Sequence, residues 1–169
     1  MKKLIINMVL MMVVAAALGL AGNALNSEGI PLVGNYPRIE YGADSVIIPP
    51  SAEEGDPPFI TLKEAYGLYH DPGTIFLDAR DPEEYDLGYI QGAISLPFDW
   101  FDDHWPDVEP LLAKDAELVI YCSGAECELS LYEGRYLREL GYEKIHIFFG
   151  GWSEWKAHGF PTTVPQGGS

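Results

Sequence analysis

From residue 59 onward the apolar positions of the chain fall into short continuous runs. They are separated by polar segments that carry helix start and stop signals. "TIFLDA" (74–79), "GAISLP" (92–97), "AELVIYC" (116–122) and "KIHIFF" (144–149) are each too short for a buried helix and are bounded by turn residues, so they read as strands. The segments between them read as helices. "TLKE" (61–64) is a capping box. "DPEEYDLG" (81–88) places Asp81 at a cap, Pro82 in the first turn, and Glu83 and Glu84 at the positive helix end. "DVEPLLAKD" (107–115) suggests a turn or two of helix. Residues 128–140 form a longer helix that ends at Gly141, and "GGWSEWKAHGF" (150–160) closes with a short one. Strands that are apolar throughout and alternate with helices predict an α/β fold, a central parallel sheet with helices on both faces. In such folds ligands bind beyond the carboxyl ends of the strands, and Cys122 stands at one of those ends.

The first third of the chain follows a different pattern. Lys2 and Lys3 precede "LIINMVLMMVVAAALGLAG" (4–22), and no charged residue follows until Glu28. Positive charge before an apolar run marks an export signal with its N-terminus in the cytoplasm. The run has 19 residues, near the roughly 20 that span a bilayer, while Gly22-Asn23-Ala24 offers a small-x-small cut site. Both a retained anchor and a cleaved signal fit, and either places the remainder outside the cytoplasmic membrane, in the periplasm or its equivalent. Residues 25–58 are rich in Gly, Pro, Asn and Ser. "IIPPSAEEGDPP" (47–58) lacks the donors for a regular ladder, so the region reads as a linker or wrapping arm, with "IPLVG" and "DSVII" as candidate short strands. The expected organisation is therefore 1–24 signal or transmembrane anchor, 25–58 arm, 59–165 folded domain and 166–169 tail. No internal repeat is visible.

Charge narrows the choice of partners. The net charge of −16 opposes phosphate backbones, so nucleic acid is not an expected partner. It also opposes adsorption to an anionic lipid surface, which leaves the N-terminal segment as the membrane contact.

The only two cysteines, Cys122 and Cys127, sit five apart at a strand-to-helix turn. Outside the cytoplasm such a pair tends to form a disulfide. The alternative is a nucleophile. A thiolate attacks where a thiol hardly does, and "CSGAEC" supplies what a thiolate needs. Small residues let backbone N–H groups converge as an anion nest, and the next helix adds its positive end. Ser123, Gly124, Ala125, Glu126 and Cys127 are the candidate anion-binding loop.

Four segments in order resemble one family. They are "FLDARDPEEYDLGYIQGAISLP", "VIYC", "YLRELGY" and "FFGGWSEWKAHGFP". Over about 105 residues the chain is similar to the rhodanese-like domain, the thiosulfate:cyanide sulfurtransferase family. The resemblance implies that Cys122 is the catalytic sulfur acceptor and carries a persulfide. It implies that the loop amides cradle it, and that Asp78 and Arg80, matching Asp-x-Arg, brace the active side of the sheet. It implies no cofactor. The partners become a sulfane-sulfur donor and a thiol acceptor, each a small molecule or a protein. Two departures stand out. The loop has Glu126, Cys127 and Glu128 where the family often has a basic or hydroxyl residue, so thiosulfate is expected to be a poor donor. Tyr89 replaces the usual histidine in Gly-x-Ile.

Two other readings accompany sulfur transfer. One is a rhodanese-fold binding module with little activity. The other is a thiol-disulfide protein that cycles Cys122 with Cys127 as its redox partner. No metal site is expected, since His70, His104, His146 and His158 lack ligand spacing toward the cysteines. "DWFDDHWPD" (99–107) reads as a solvated acidic loop with two packed tryptophans.

Overall fold

The structure, a computed structural model, describes residues 2–25, 44–124 and 127–165. The "IPLVG" segment, the loop residues Ala125 and Glu126, and the tail at 166–169 lie outside the described residues. The chain divides into two units, residues 1–40 and 41–169. In the first, helix α1 (Lys2–Leu25) is continuous, and its stretch Lys2–Asn23 is long and apolar enough to cross a membrane by length and composition.

The second unit is an α/β layer structure. Helix α2 (Leu62–Tyr69) starts with the expected capping box. Thr61 Oγ1 accepts from the Glu64 amide and the Glu64 carboxylate accepts from the Thr61 amide. Strand β1 (Thr74–Asp78) follows, then α3 (Pro82–Asp86), β2 (Tyr89–Ile90) and β3 (Ile94–Ser95). Asp81 stands before α3, but its side chain makes no cap hydrogen bond. After a 3-10 turn at Phe98–Trp100 come α4 (Phe101–Val108), β4 (Glu117–Tyr121), α5 (Leu129–Glu139), β5 (Ile145–Phe148), α6 (Gly151–Ala157) and β6 (Thr162–Thr163). The sheet order is β3-β1-β4-β5, all parallel, and β2 pairs antiparallel with β6. Segment 58–60 adds a bridge along β5, with Ile60 N donating to Ile147 O and Ile147 N to Pro58 O. The fold is thus the expected one, with β4 central.

Alternation along β4 builds two cores. Leu118, Ile120 and Cys122 join the core on the α4 and α5 side, with Leu77, Val108, Leu137 and Ile147. Val119 and Tyr121 join the other, with Leu62, Ala65, Phe76 and Trp155. Helix α5 ends as expected. Gly141 takes φ 91° and Tyr142 N reaches back to Leu137 O, a turn that closes the helix on a left-handed residue.

Two local expectations differ from the structure. "DSVII" forms no strand, and it is anchored instead by the buried side chain of Ile47. "DWFDDHWPD" is not a loop, because most of it is α4. Phe101, Trp105 and Val108 recur at i, i+4 and i+7, a helical stripe. Phe101 stacks on Trp105, which meets Tyr142 edge-on. Burial of this stripe outweighs Pro106 and the aspartates. Only Trp105 of the two tryptophans is packed, since Trp100 is 54% exposed.

Candidate active site

Cys122 ends β4 and is fully buried, and Cys127 is half-buried. Both are free thiols. Cys127 N donates to Gly124 O at 2.8 Å. This turn packs Cys127 beside Cys122. Cys122 Sγ also lies 2.8 Å from the Cys127 carbonyl oxygen, and the Ser130 hydroxyl donates toward it at 3.8 Å.

Among the described residues, the backbone partners of Cys122 Sγ are carbonyl oxygens, of Cys127 at 2.8 Å and of Gly124 at 4.0 Å. Burial pushes the Cys122 thiol well up, and the neighbouring Cys127 sulfur adds to this. The Cys127 thiol is drawn down to about 6, first by the hydrogen bond from Cys122 and then, against its partial burial, by the Leu129 and Ser123 amides. The negative charge of the loop therefore resides on Cys127.

The base of the loop is clamped by α6. Trp152 N donates to Cys122 O at 2.8 Å and Ser153 N to Ser123 O at 3.0 Å. This approach requires glycine at 151. Its φ is 61°, and a Cβ there would stand 2.3 Å from the Cys122 carbonyl oxygen. The Gly-Gly-x-x-x-Trp segment is thus the loop's floor, and Trp155 fixes it by complete burial and a 2.9 Å bond from Nε1 to Pro161 O.

Asp78 and Arg80 lie on the opposite face from Cys122, where their side chains bond to each other. Arg80 Nε donates to Asp78 Oδ1 at 2.8 Å and Nη2 to Oδ2 at 2.5 Å. Nη2 also reaches Gly88 O at 2.8 Å, and Tyr121 OH donates to Asp78 Oδ2 at 2.6 Å. Burial, followed by the Asp78 charge, holds the Tyr121 phenol protonated. The Arg80 guanidinium stacks over Trp152, 5.1 Å from its ring centre. The network thereby ties the ends of β1 and β4 to α6.

Several residues escaped the sequence reading. Glu84 of α3 accepts from Ser123 Oγ at 3.0 Å, which puts a carboxylate at the loop mouth. Ser130 contacts Cys122. Glu133, one turn further along α5, is fully buried with neither carboxyl oxygen hydrogen-bonded, and burial raises its pKa well above the carboxylate range. Glu128 is held by Ser51 Oγ and Tyr132 OH, both at 2.6 Å. The spacing of Ser130 and Glu133, three apart on one helix face, was the available signal. Among the described residues, the arginine side chains bond elsewhere than to these acids. Arg80 is paired with Asp78, Arg135 with Asp56, and Arg138 bonds to Gly55 O. His146 bonds Glu117 on the sheet, 2.5 Å away. Among the described residues no group of three or more His, Cys, Asp or Glu is arranged to hold a metal ion. Beside Phe98 lies an open depression of about 520 Å³ walled by aromatic rings and by Asp99, Asp102 and Asp103.

Comparison with known proteins agrees with this architecture. Residues 61–158 match the family model of the rhodanese-like domain. Curated relatives named tRNA uridine(34) hydroxylase are similar over part of their length. That of Erwinia tasmaniensis is 31% identical over 96 residues, covering 55% of this chain and 27% of the relative. That of Pectobacterium atrosepticum is 33% identical over 110 residues, covering 61% and 30%. The chain therefore spans less than a third of either relative. Among solved structures, the rhodanese-like domain of an Anabaena sp. protein superposes with a TM-score of 0.51 at 26% identity, over 68% of this chain and 87% of that one. The polysulfide-sulfur transferase of Wolinella succinogenes superposes with a TM-score of 0.54 at 23% identity, over 66% and 81%, a likeness of fold. The match to the family model covers more than half of the chain, and the chain belongs to the rhodanese-like domain family.

Proposed function

We propose that the protein is a sulfurtransferase that carries sulfane sulfur as a persulfide on Cys122 and delivers it to a thiol acceptor. The observation that carries this reading is the position of Cys122. It ends the central parallel strand, fully buried, and faces the first turn of α5, where the Ser130 hydroxyl donates toward it and a helix start stabilises an anion attached to the sulfur. Asp78 and Arg80 act as the brace of that strand end, and the loop 123–127 as the cradle. The acids decide the donor. Glu84 bonds to loop residue Ser123 and Glu128 stands at the entry of α5, and among the described residues Arg80, Arg135 and Arg138 bond elsewhere, so a thiosulfate dianion is repelled and a singly charged persulfide is the better donor. The relatives' name suggests an RNA substrate, but a net charge of −16 disfavours that reading. In the same proposal, residues 59–165 are the catalytic domain, and the apolar N-terminal helix holds or sends it outside the cytoplasmic membrane.

The test is sulfur transfer from a small-molecule persulfide to an external thiol, for wild type, Cys122→Ser and Cys127→Ser. Cys122→Ser is expected to lose transfer, and wild type to use thiosulfate at least tenfold less efficiently than the persulfide. Full transfer by Cys122→Ser would overturn the assignment.

A further inference from the structure

Two cysteines share one cradle, and a single sulfur carrier needs only one. Cys122 is completely buried, beneath the Cys127 carbonyl and the Ser130 hydroxyl. Cys127 is half-buried and packs beside Cys122, its carbonyl oxygen 2.8 Å from Cys122 Sγ. An external thiol has to reach a fully buried sulfur. An internal thiol is already there, and a reactant held in contact has an effective concentration far above that of any solute.

We infer that Cys127 is a resolving nucleophile that discharges the Cys122 persulfide as free sulfide, leaving a Cys122–Cys127 disulfide. This rests on the persulfide reading above and adds a second outcome to it. The Cys127 thiolate attacks Cys122 Sγ, the inner sulfur of Cys122–S–SH. A bond forms between the two cysteine sulfurs and the bond to the outer sulfur breaks. The outer sulfur leaves with that electron pair and its proton as hydrosulfide, reduced from the sulfane level, while the two cysteine sulfurs are oxidised to the disulfide. One negative charge enters on Cys127 and one leaves on hydrosulfide. A dithiol reductant then restores both thiols and is itself oxidised to a disulfide.

Cys127 is held beside the reacting sulfur by its own backbone, whose carbonyl oxygen lies 2.8 Å from Cys122 Sγ. Cys122 is the right sulfur to be attacked, because its outer sulfur leaves as a small anion. The cycle needs no oxidant beyond the sulfane sulfur itself. A thiol acceptor that arrives first takes the outer sulfur instead, so acceptor concentration selects between transfer and sulfide release.

The experiment uses the full chain, reduced and then freed of reductant under anaerobic conditions, and treated with cysteine persulfide. Intact mass, peptide mapping and released sulfide are followed for wild type and Cys127→Ser, with circular dichroism to check folding. Wild type is expected to become two hydrogens lighter, with Cys122 joined to Cys127 and one sulfide released per chain. Cys127→Ser is expected to become one sulfur heavier at Cys122 and to release sulfide at least tenfold more slowly. Wild type that keeps the persulfide on Cys122 or carries it on Cys127, with no disulfide, would overturn the inference and leave sulfur transfer standing. Folded Cys127→Ser that gains no sulfur would overturn both readings.

Discussion

The two faces of the central sheet treat buried polarity in opposite ways. On the α2 and α6 face, Asp78, Arg80 and Tyr121 satisfy one another within 2.5–2.8 Å. On the α5 face, Cys122 and Glu133 are as deeply buried, yet Glu133 has no hydrogen-bond partner and Cys122 faces a carbonyl oxygen. Alternation along β4 sets Tyr121 on one face and Cys122, the next residue, on the other. The paired face fixes where the strand ends. The unpaired face keeps groups whose protonation and bonding are free to change. A satisfied network rigidifies, and an unsatisfied buried polar group stores unfavourable free energy.

The sharpest way to break this comparison is to unpair the satisfied face. Asp78→Ala leaves the Arg80 guanidinium, only 2% exposed, without its counterion. Removing one partner of a buried pair costs about 3–5 kcal/mol. The urea midpoint is expected to fall accordingly. A double variant, Asp78→Ala with Arg80→Met, is expected to recover part of the loss by removing the orphaned charge. A midpoint within error of wild type for Asp78→Ala would show that the network is not a brace.

Next in size is Gly151→Ala, which acts on the junction between the faces. The added Cβ meets the Cys122 carbonyl at 2.3 Å and Gly124 N at 2.9 Å, on a residue with φ of 61°. The loop or α6 has to move, at about 1–3 kcal/mol. Because the colliding atoms carry the cysteine loop, sulfur transfer is expected to fall at least tenfold while the Asp78 network stays intact. Transfer kinetics beside far-UV circular dichroism make the check. Loss of stability without loss of transfer would mean that α6 supports the fold and not the loop.

The legible parts of the molecule were those whose signal is local. The run 116–122, the Thr61–Glu64 box and the Gly-Gly-x-x-x-Trp segment each carry their structural reason within a few residues, and the parallel sheet follows from their alternation. The site was half legible. Cys122 and the small loop could be seen in the sequence. That the Cys127 carbonyl and the Ser130 hydroxyl meet at Cys122 could not, because it depends on how α5 enters the loop. Glu84 was read as favourable charge at a helix start, and its bond to Ser123 spans 39 residues. Helix α4 was masked by Pro106 and a run of aspartates, whose local preference was overruled by packing of Phe101 and Trp105.

The smallest effect tests the unpaired face directly. Glu133 is fully buried without a partner, and burial, followed by the Asp78 charge, raises its folded pKa well above the 4.5 of a free glutamate side chain. In the unfolded chain it ionises near that ordinary value. Between the two values the folded state binds a proton that the unfolded state has released, so stability declines as pH rises through this window. The contribution is complete below the unfolded value and is lost by the folded one. Glu133→Gln keeps the shape and cannot ionise. Relative to wild type it is therefore expected to become more stable as pH rises, by on the order of 1 kcal/mol between about pH 5 and pH 7. Because Gln also buries an unpartnered amide, the absolute stabilities at one pH decide nothing, and the change in the difference with pH is the informative quantity. Urea titrations of both proteins at several pH values measure it. A difference that stays constant would mean that Glu133 has found a partner and is ionised, and the contrast between the two faces would then rest on Cys122 alone.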